Sequence, residues 1–172
     1  MVASDEYGLP ALPADLTHTS DWHSSPDYHL QWLADHADRW GNGIALTLVV
    51  SGGLISGTVE SKHAYLRGSA EKIREFDDDG DENIQKAIES FAKDMFDGPA
   101  QIAEDQQREA LEALKDLKDG EDTTPSTVER TLMYRQIHLS DAWFVPGGAP
   151  SISLGHTRVL LSQVSAWSVG RP

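Results

Sequence analysis

The chain contains no cysteine. Disulfides, thiolate zinc sites and cysteine nucleophiles are therefore excluded, and a reducing compartment, the cytoplasm, is the expected setting. It also lacks any apolar run near the roughly 18 to 20 residues needed to cross a bilayer. The longest, Ile44 to Val50, has the length of a strand. The N-terminus, Met1 to Glu6, shows no basic region and no apolar stretch, so no secretory signal is expected. Positive charge is scarce: 14 Lys and Arg stand against 28 Asp and Glu, for a net charge of −14. Nucleic acid binding requires cations that displace counterions from phosphate, and an anionic membrane surface makes the same demand. Both partners are disfavoured. A field of this sign leaves solubility, self-repulsion and attraction to basic protein surfaces.

The charge is uneven. Asp77 to Asp122 holds 16 acidic and 5 basic residues, a net of −11 out of the total −14. The flanks are nearly neutral. At 172 residues and 39% apolar content the chain suits one domain with a moderate core. Residues 1–24 carry Gly8, Pro10 and Pro13 with no helical or strand period, which reads as a mobile arm and leaves 25–172 as a single domain. Ser25-Pro26-Asp27 has the form of a helix start: a serine cap, proline at the first helical position, and an acid in the first turn. Leu30, Leu33, Ala37 and Trp40 follow at helical spacing, and Gly41-Asn42-Gly43 ends the run.

The strongest local pattern comes next. Ile44, Leu46, Leu48 and Val50 alternate with Ala45, Thr47 and Val49, and Gly52-Gly53 offers a two-residue turn of the kind that takes positive φ. A hairpin turning on Gly52 and Gly53 pairs Val50 with Ile55 and Leu46 with Val59, placing the large apolar side chains on one face. A helical insertion over 62–120 is then predicted. Ser61 caps a helix with Tyr65, Leu66, Ser69, Ile73 and Phe76 along it; Ile84, Ile88, Phe91 and Met95 mark the next; Gly98-Pro99 breaks it; and a last helix runs to about Lys118. Two β regions close the chain, Thr131 to Val145 and Arg158 to Val169, with a short Ile152 to Leu154 piece between them. The alternation slips between Leu161 and Val164, which predicts a bulge near Ser162 and Gln163.

A lone hairpin is barely stable in water, so strands from both ends must share one antiparallel sheet. The expected fold is α+β: a small curled sheet, approaching an Sm-like or SH3-like barrel, with an N-terminal helix and an acidic helical insertion.

Two blocks resemble the gas vesicle accessory family GvpU. The first runs from Leu46-Thr47-Leu48-Val49-Val50 through Ile55-Ser56-Gly57-Thr58 to Tyr65. The second runs from Ile137-His138-Leu139 through Pro146-Gly147-Gly148 to Arg158, Val164 and Val169-Gly170. At Arg158-Val159-Leu160 and Ser165-Ala166 the chain departs from the family's more polar pattern, which bears on partner contacts more than on the fold. The resemblance implies a non-enzymatic accessory protein that associates with or clusters gas vesicles through self-association or through shell and accessory proteins. An acidic adaptor module serving an unrelated system is the alternative.

Catalytic and metal constellations are absent from the sequence pattern. His29 and His36 stand two turns apart, too far to share an ion, and no HExxH pair exists. An EF-hand frame over the acidic run puts Lys86 where a bidentate Glu belongs. Gly53-Leu54-Ile55-Ser56-Gly57 has the wrong spacing for a nucleophile elbow and lies in a strand, and Ser90-Phe91-Ala92-Lys93 sits on an ordinary amphipathic helix. No catalytic, metal or cofactor site is expected. The candidate interaction residues are Asp77, Asp78, Asp79, Asp81 and Glu82 of the acidic run, Phe91 and Met95 of the apolar stripe, and Trp143 and Trp167. For the tryptophans, core packing is favoured over an exposed patch. The stripe is either core or a partner-seeking helix face.

Overall fold

The computed structural model describes residues 27–76, 80–118 and 134–171. The proposed arm, 1–24, lies outside them, as do Ser25, Pro26 and Thr131. Helix α1 (Tyr28–Trp40) starts at Asp27, whose carboxylate accepts from the N–H groups of His29 and Leu30. The acid predicted for the first turn is therefore the cap. Gly41, at φ 69°, ends α1 and donates its N–H to the Ala37 carbonyl.

Strands β1 (Ala45–Val50) and β2 (Gly53–Glu60) form the hairpin, but the turn is Ser51-Gly52, one residue earlier than expected. Gly52 alone takes the positive φ, 93°, so one glycine suffices, and Gly53 opens β2 opposite Val50. Leu48 therefore faces Ile55 and Leu46 faces Gly57, a slip of two residues from the predicted register. A slip of two preserves the alternation, which is why Leu46, Leu48 and Val59 still reach the core.

Helices α2 (Lys62–Arg74), α3 (Glu82–Ala92) and α4 (Gly98–Lys118) follow. Gly98-Pro99 does not break the path. A π-helical turn, Lys93–Asp97, joins α3 directly to α4, with the Gly98 N–H bonded to the Lys93 carbonyl. Proline lacks an N–H and crowds the carbonyl four residues back; a widened turn relieves both demands without ending the helix. Three strands then complete the sheet: β3 (Gln136–Pro146), β4 (Ile152–Leu160) and β5 (Val164–Val169). The Ile152 to Leu154 piece is the start of β4 rather than a separate segment. Where a bulge was expected, a 3₁₀ turn, Leu161–Gln163, separates β4 from β5.

Strands from the two ends of the chain do share one sheet, antiparallel throughout, in the order β4-β3-β2-β1-β5. β4 and β5 are its edges. A flat five-stranded sheet would hold those edges about 19 Å apart, yet only three residues connect them, a path of roughly 8 to 14 Å. The sheet must therefore curl, aided by register shifts in the β1–β5, β2–β3 and β3–β4 pairs. It stops short of a barrel, because the edges do not pair.

α1 lays Leu30, Ala34 and Ala37 against Leu46, Leu48, Val59, Ile137, Leu139 and Val159, which forms the core. On α2, Gly68 approaches β4 so closely that a Cβ there would sit 2.3 Å from the His156 ring. α3, the π turn and α4 pack on α2. Basic side chains of α2 orient them: Arg67 meets Glu104, and Arg74 bridges Glu89 and Asp97.

Candidate interaction surfaces and the polar cleft

The predicted site residues separate into distinct places. Asp77, Asp78 and Asp79 lie outside the described residues. Asp81 is the N-cap of α3, accepting from the Asn83 N–H at 2.8 Å, and Glu82 lies 3.7 Å from Lys86 one turn on. Both acids have a local role in starting the helix.

The apolar stripe of α3 is not core. Ile84 is 38%, Phe91 52% and Met95 55% exposed, while neighbouring Ala92 is fully buried. α3 and the π turn thus leave Ile84, Phe91 and Met95 largely in water, with Ile88 half-buried between them. Phe91 meets Phe96 edge-on at 6.1 Å. Phe76 and Ile102 add exposed apolar surface to the insertion. The two tryptophans also differ: Trp167 is half-buried against the core, whereas Trp143 on β3 is 44% exposed.

A second surface escaped the sequence analysis. Tyr28, Trp32, His36 and Trp40 recur every four residues on α1, beside the buried Leu30, Ala34 and Ala37. Trp32 stacks on His36 with centroids 5.3 Å apart, and His36 lies 6.5 Å from Trp40. Helical spacing grouped Trp40 with the buried side chains, but Trp40 is 52% exposed. The four-residue aromatic repeat was the signal that could have separated it from them.

Ionisable groups also converge in a cleft of about 250 Å³ lined by Asp35, Asp38, Arg39, Lys62, His63 and Tyr134. Perturbed groups in a cleft are what a catalytic site presents. Burial raises the Asp38 pKa despite the 2.6 Å hydrogen bond it accepts from the Lys62 N–H. Burial, with Asp38 and Asp35 nearby, pushes the Tyr134 phenol well above its ordinary value. Each carboxylate nevertheless has a partner in the chain itself, Asp35 in an ion pair with Arg39 at 2.7 Å and Asp38 accepting from the α2 backbone. Ser61 and His63 approach to 3.0 Å, but Ser61 is 1% exposed and caps α2 by accepting from the Ala64 N–H. A serine so buried and so engaged cannot meet a substrate. The cleft joins α1, α2 and α4; its carboxylates have partners within the chain, while the buried Arg39 Nε has no hydrogen-bond partner although it lies 2.7 Å from Asp35.

Beneath α2, Glu60 accepts from His156 at 2.9 Å, and His138 stacks on Tyr65 at 4.6 Å with the Arg158 guanidinium 5.1 Å from the Tyr65 ring centre. No group of three or more His, Asp or Glu is placed to hold a metal ion among the described residues. Among the same residues no helix is long and apolar enough to cross a membrane.

A family model described as gas vesicle protein GvpU-like matches residues 27–172. No curated protein and no solved structure matches the chain. The family match takes in α1, the whole sheet and the helical insertion, so it agrees with the likeness seen in the two β blocks. The chain belongs to the GvpU-like family of gas vesicle proteins.

Proposed function

We propose that the protein is a non-enzymatic accessory protein of gas vesicles, acting in the cytoplasm, which docks on vesicle-associated protein through its helical insertion and draws vesicles together. The observation that carries this reading is the exposed apolar face of α3 and the π turn that follows it. Ile84, Phe91 and Met95 stand in water within the segment that holds most of the chain's negative charge. An apolar helix face among carboxylates fits a protein surface that is itself apolar and rimmed with Lys or Arg. The family supplies the gas vesicle setting. Asp77, Asp78 and Asp79 add to the charge of the segment, and Trp143, exposed on β3, is proposed as a further contact. Because the cleft's carboxylates are already engaged, Asp35 by the Arg39 ion pair and Asp38 by the α2 backbone, a binding role is favoured over a catalytic one.

Co-flotation with purified gas vesicles tests the docking. The wild-type chain should rise with the vesicles and be released by salt. A variant carrying Ile84→Ser, Phe91→Ser and Met95→Ser should stay in the liquid below. Equal flotation of the two, or no flotation of the wild type, would refute the reading.

A further inference from the structure

We propose that the side chains beneath the first turns of α2 form a binding site for a phosphoryl group, held by Lys62 and Arg158 with the buried His138 ring as its floor. Strand register builds the site. Glu60 pairs with His138 on the next strand, and His138 with Arg158 on the one after, so the three side chains share a face of the sheet. Tyr65 of α2 covers that face, stacked on His138. Glu60 is already taken: both of its oxygens accept from His156, at 2.9 and 3.0 Å. Arg158 is left to lay its guanidinium over the Tyr65 ring, 5.1 Å from the centre.

Three donors therefore stand without acceptors. His138 is 6% exposed, yet among the described residues its ring nitrogens make no hydrogen bond. A buried polar ring left so is costly unless something from outside the chain completes it. Among the same residues, Arg158 and the Lys62 ammonium have no carboxylate in ion-pair contact. That is unusual in a chain with 28 acids and 14 bases. Arg39, Arg67, Arg74, Arg108 and Arg171 are each paired with an acid. Burial, then Arg158 and Lys62, pull the His138 pKa down to about 4, so both cations lie close to its ring. An anion set among them relieves that mutual repulsion.

The donor set selects the ligand. A guanidinium offers a planar fork, an ammonium a point charge and a neutral imidazole one N–H. A phosphoryl group answers them with three oxygens and a charge of about −1.5 to −2, whereas a carboxylate has two oxygens and a single charge. The net charge of −14 opposes any anion, but most of it lies in Asp77 to Asp122 and is screened beyond about 8 Å at physiological salt. The affinity is accordingly modest, with a Kd on the order of 1 mM for so small a ligand. Lys62 belongs to α2 and Arg158 to β4, so the ligand ties the insertion to the sheet. The site is separate from the exposed side chains of α3 and the π turn, and its failure would leave their docking role standing.

NMR signals of the His138 ring, followed in the full chain, read the binding. The probes are inorganic phosphate, glycerol phosphate and, at matched ionic strength, sodium chloride. Both phosphoryl probes should displace the signals to saturation and raise Tm, and chloride should do neither. Tighter binding of phosphate or of the ester supports the site either way and tells which source the ligand has. Arg158→Gln and Lys62→Gln alter exposed side chains and should each raise Kd about tenfold or more. Arg158→Lys should recover part of the loss, and Arg108→Gln, whose side chain is paired with Asp105, should leave Kd unchanged. If one variant loses its fold, the other carries the test. Signals that never saturate, that move equally in chloride, or that respond alike in the wild type and both glutamine variants would overturn the proposal.

Discussion

Acidification should destabilise the fold through a single buried ring. His138 on β3 is 6% exposed and stacked on Tyr65. Burial, reinforced by the positive charges of Arg158 and Lys62, disfavours its imidazolium and pulls its pKa from 6.5 to about 4. The unfolded chain binds that proton with ordinary affinity. The folded state is therefore favoured in full above pH 6.5, and the advantage drains away as pH falls toward 4. Integrated at 1.36 kcal/mol per pH unit, the loss between pH 7 and pH 5 is about 2 kcal/mol, or a fall in Tm of roughly 4 to 8 °C. Asp38 and Glu60 act with the opposite sign, because burial raises both: they favour the fold at low pH and oppose it as pH rises. A comparison with His138→Phe, which keeps a ring beside Tyr65 and cannot titrate, separates the histidine from these groups. Urea unfolding of both proteins, kept above the sequence pI of about 4.7, measures the difference. The stability gap should shift toward the variant by about 2 kcal/mol between pH 7 and pH 5. A gap that does not change with pH would show that His138 is not held neutral by the fold.

Gly68→Ala should destabilise by a net 1 to 2 kcal/mol, roughly, since overpacking against His156 outweighs the gain in helix propensity of about 1 kcal/mol. Thermal unfolding reads it, and an unchanged Tm would mean that α2 and β4 do not approach so closely. Asp27→Ala should cost about 1 kcal/mol by freeing the N–H groups of His29 and Leu30, and Asp27→Ser should restore most of it. Phe91→Ser with Met95→Ser should change unfolding free energy by no more than about 0.5 kcal/mol, because both side chains are half in water. A loss of several kcal/mol would show that the stripe is packed after all.

Much of the fold was legible because its signals are local. The alternation of Leu46, Leu48 and Val50 beside a glycine turn specified a hairpin, and the need of a hairpin for neighbours specified a shared sheet. What went astray depended on finer geometry. Two adjacent glycines cannot say which of them the turn will use, and a slip of two leaves the hydrophobic pattern intact. Pro99 marks a break only if the turn before it is an ordinary one, and the π turn makes the break unnecessary. The alternation slips between Leu161 and Val164, but one period cannot tell a bulge from a strand end.

The surfaces were harder to read. Apolar residues at helical spacing look alike whether they face a core or a partner. Ile84, Phe91 and Met95 stay exposed while neighbouring Ala92 is buried, a fact of packing. On α1 the stripes of Leu30, Ala34 and Ala37 and of Trp32, His36 and Trp40 both follow helical spacing, so periodicity alone could not say which would be buried. The cleft of Asp35, Asp38 and Tyr134 draws on α1 and the approach to β3, which no motif could have joined.

Vesicle attachment belongs, in this proposal, to the apolar side chains of the insertion, and clustering of purified gas vesicles under the light microscope tests that most directly. Wild-type protein should gather vesicles. The Ile84→Ser/Phe91→Ser/Met95→Ser variant should leave them dispersed and bare. If the variant gathers vesicles as well as the wild type does, the insertion does not perform the function assigned to it.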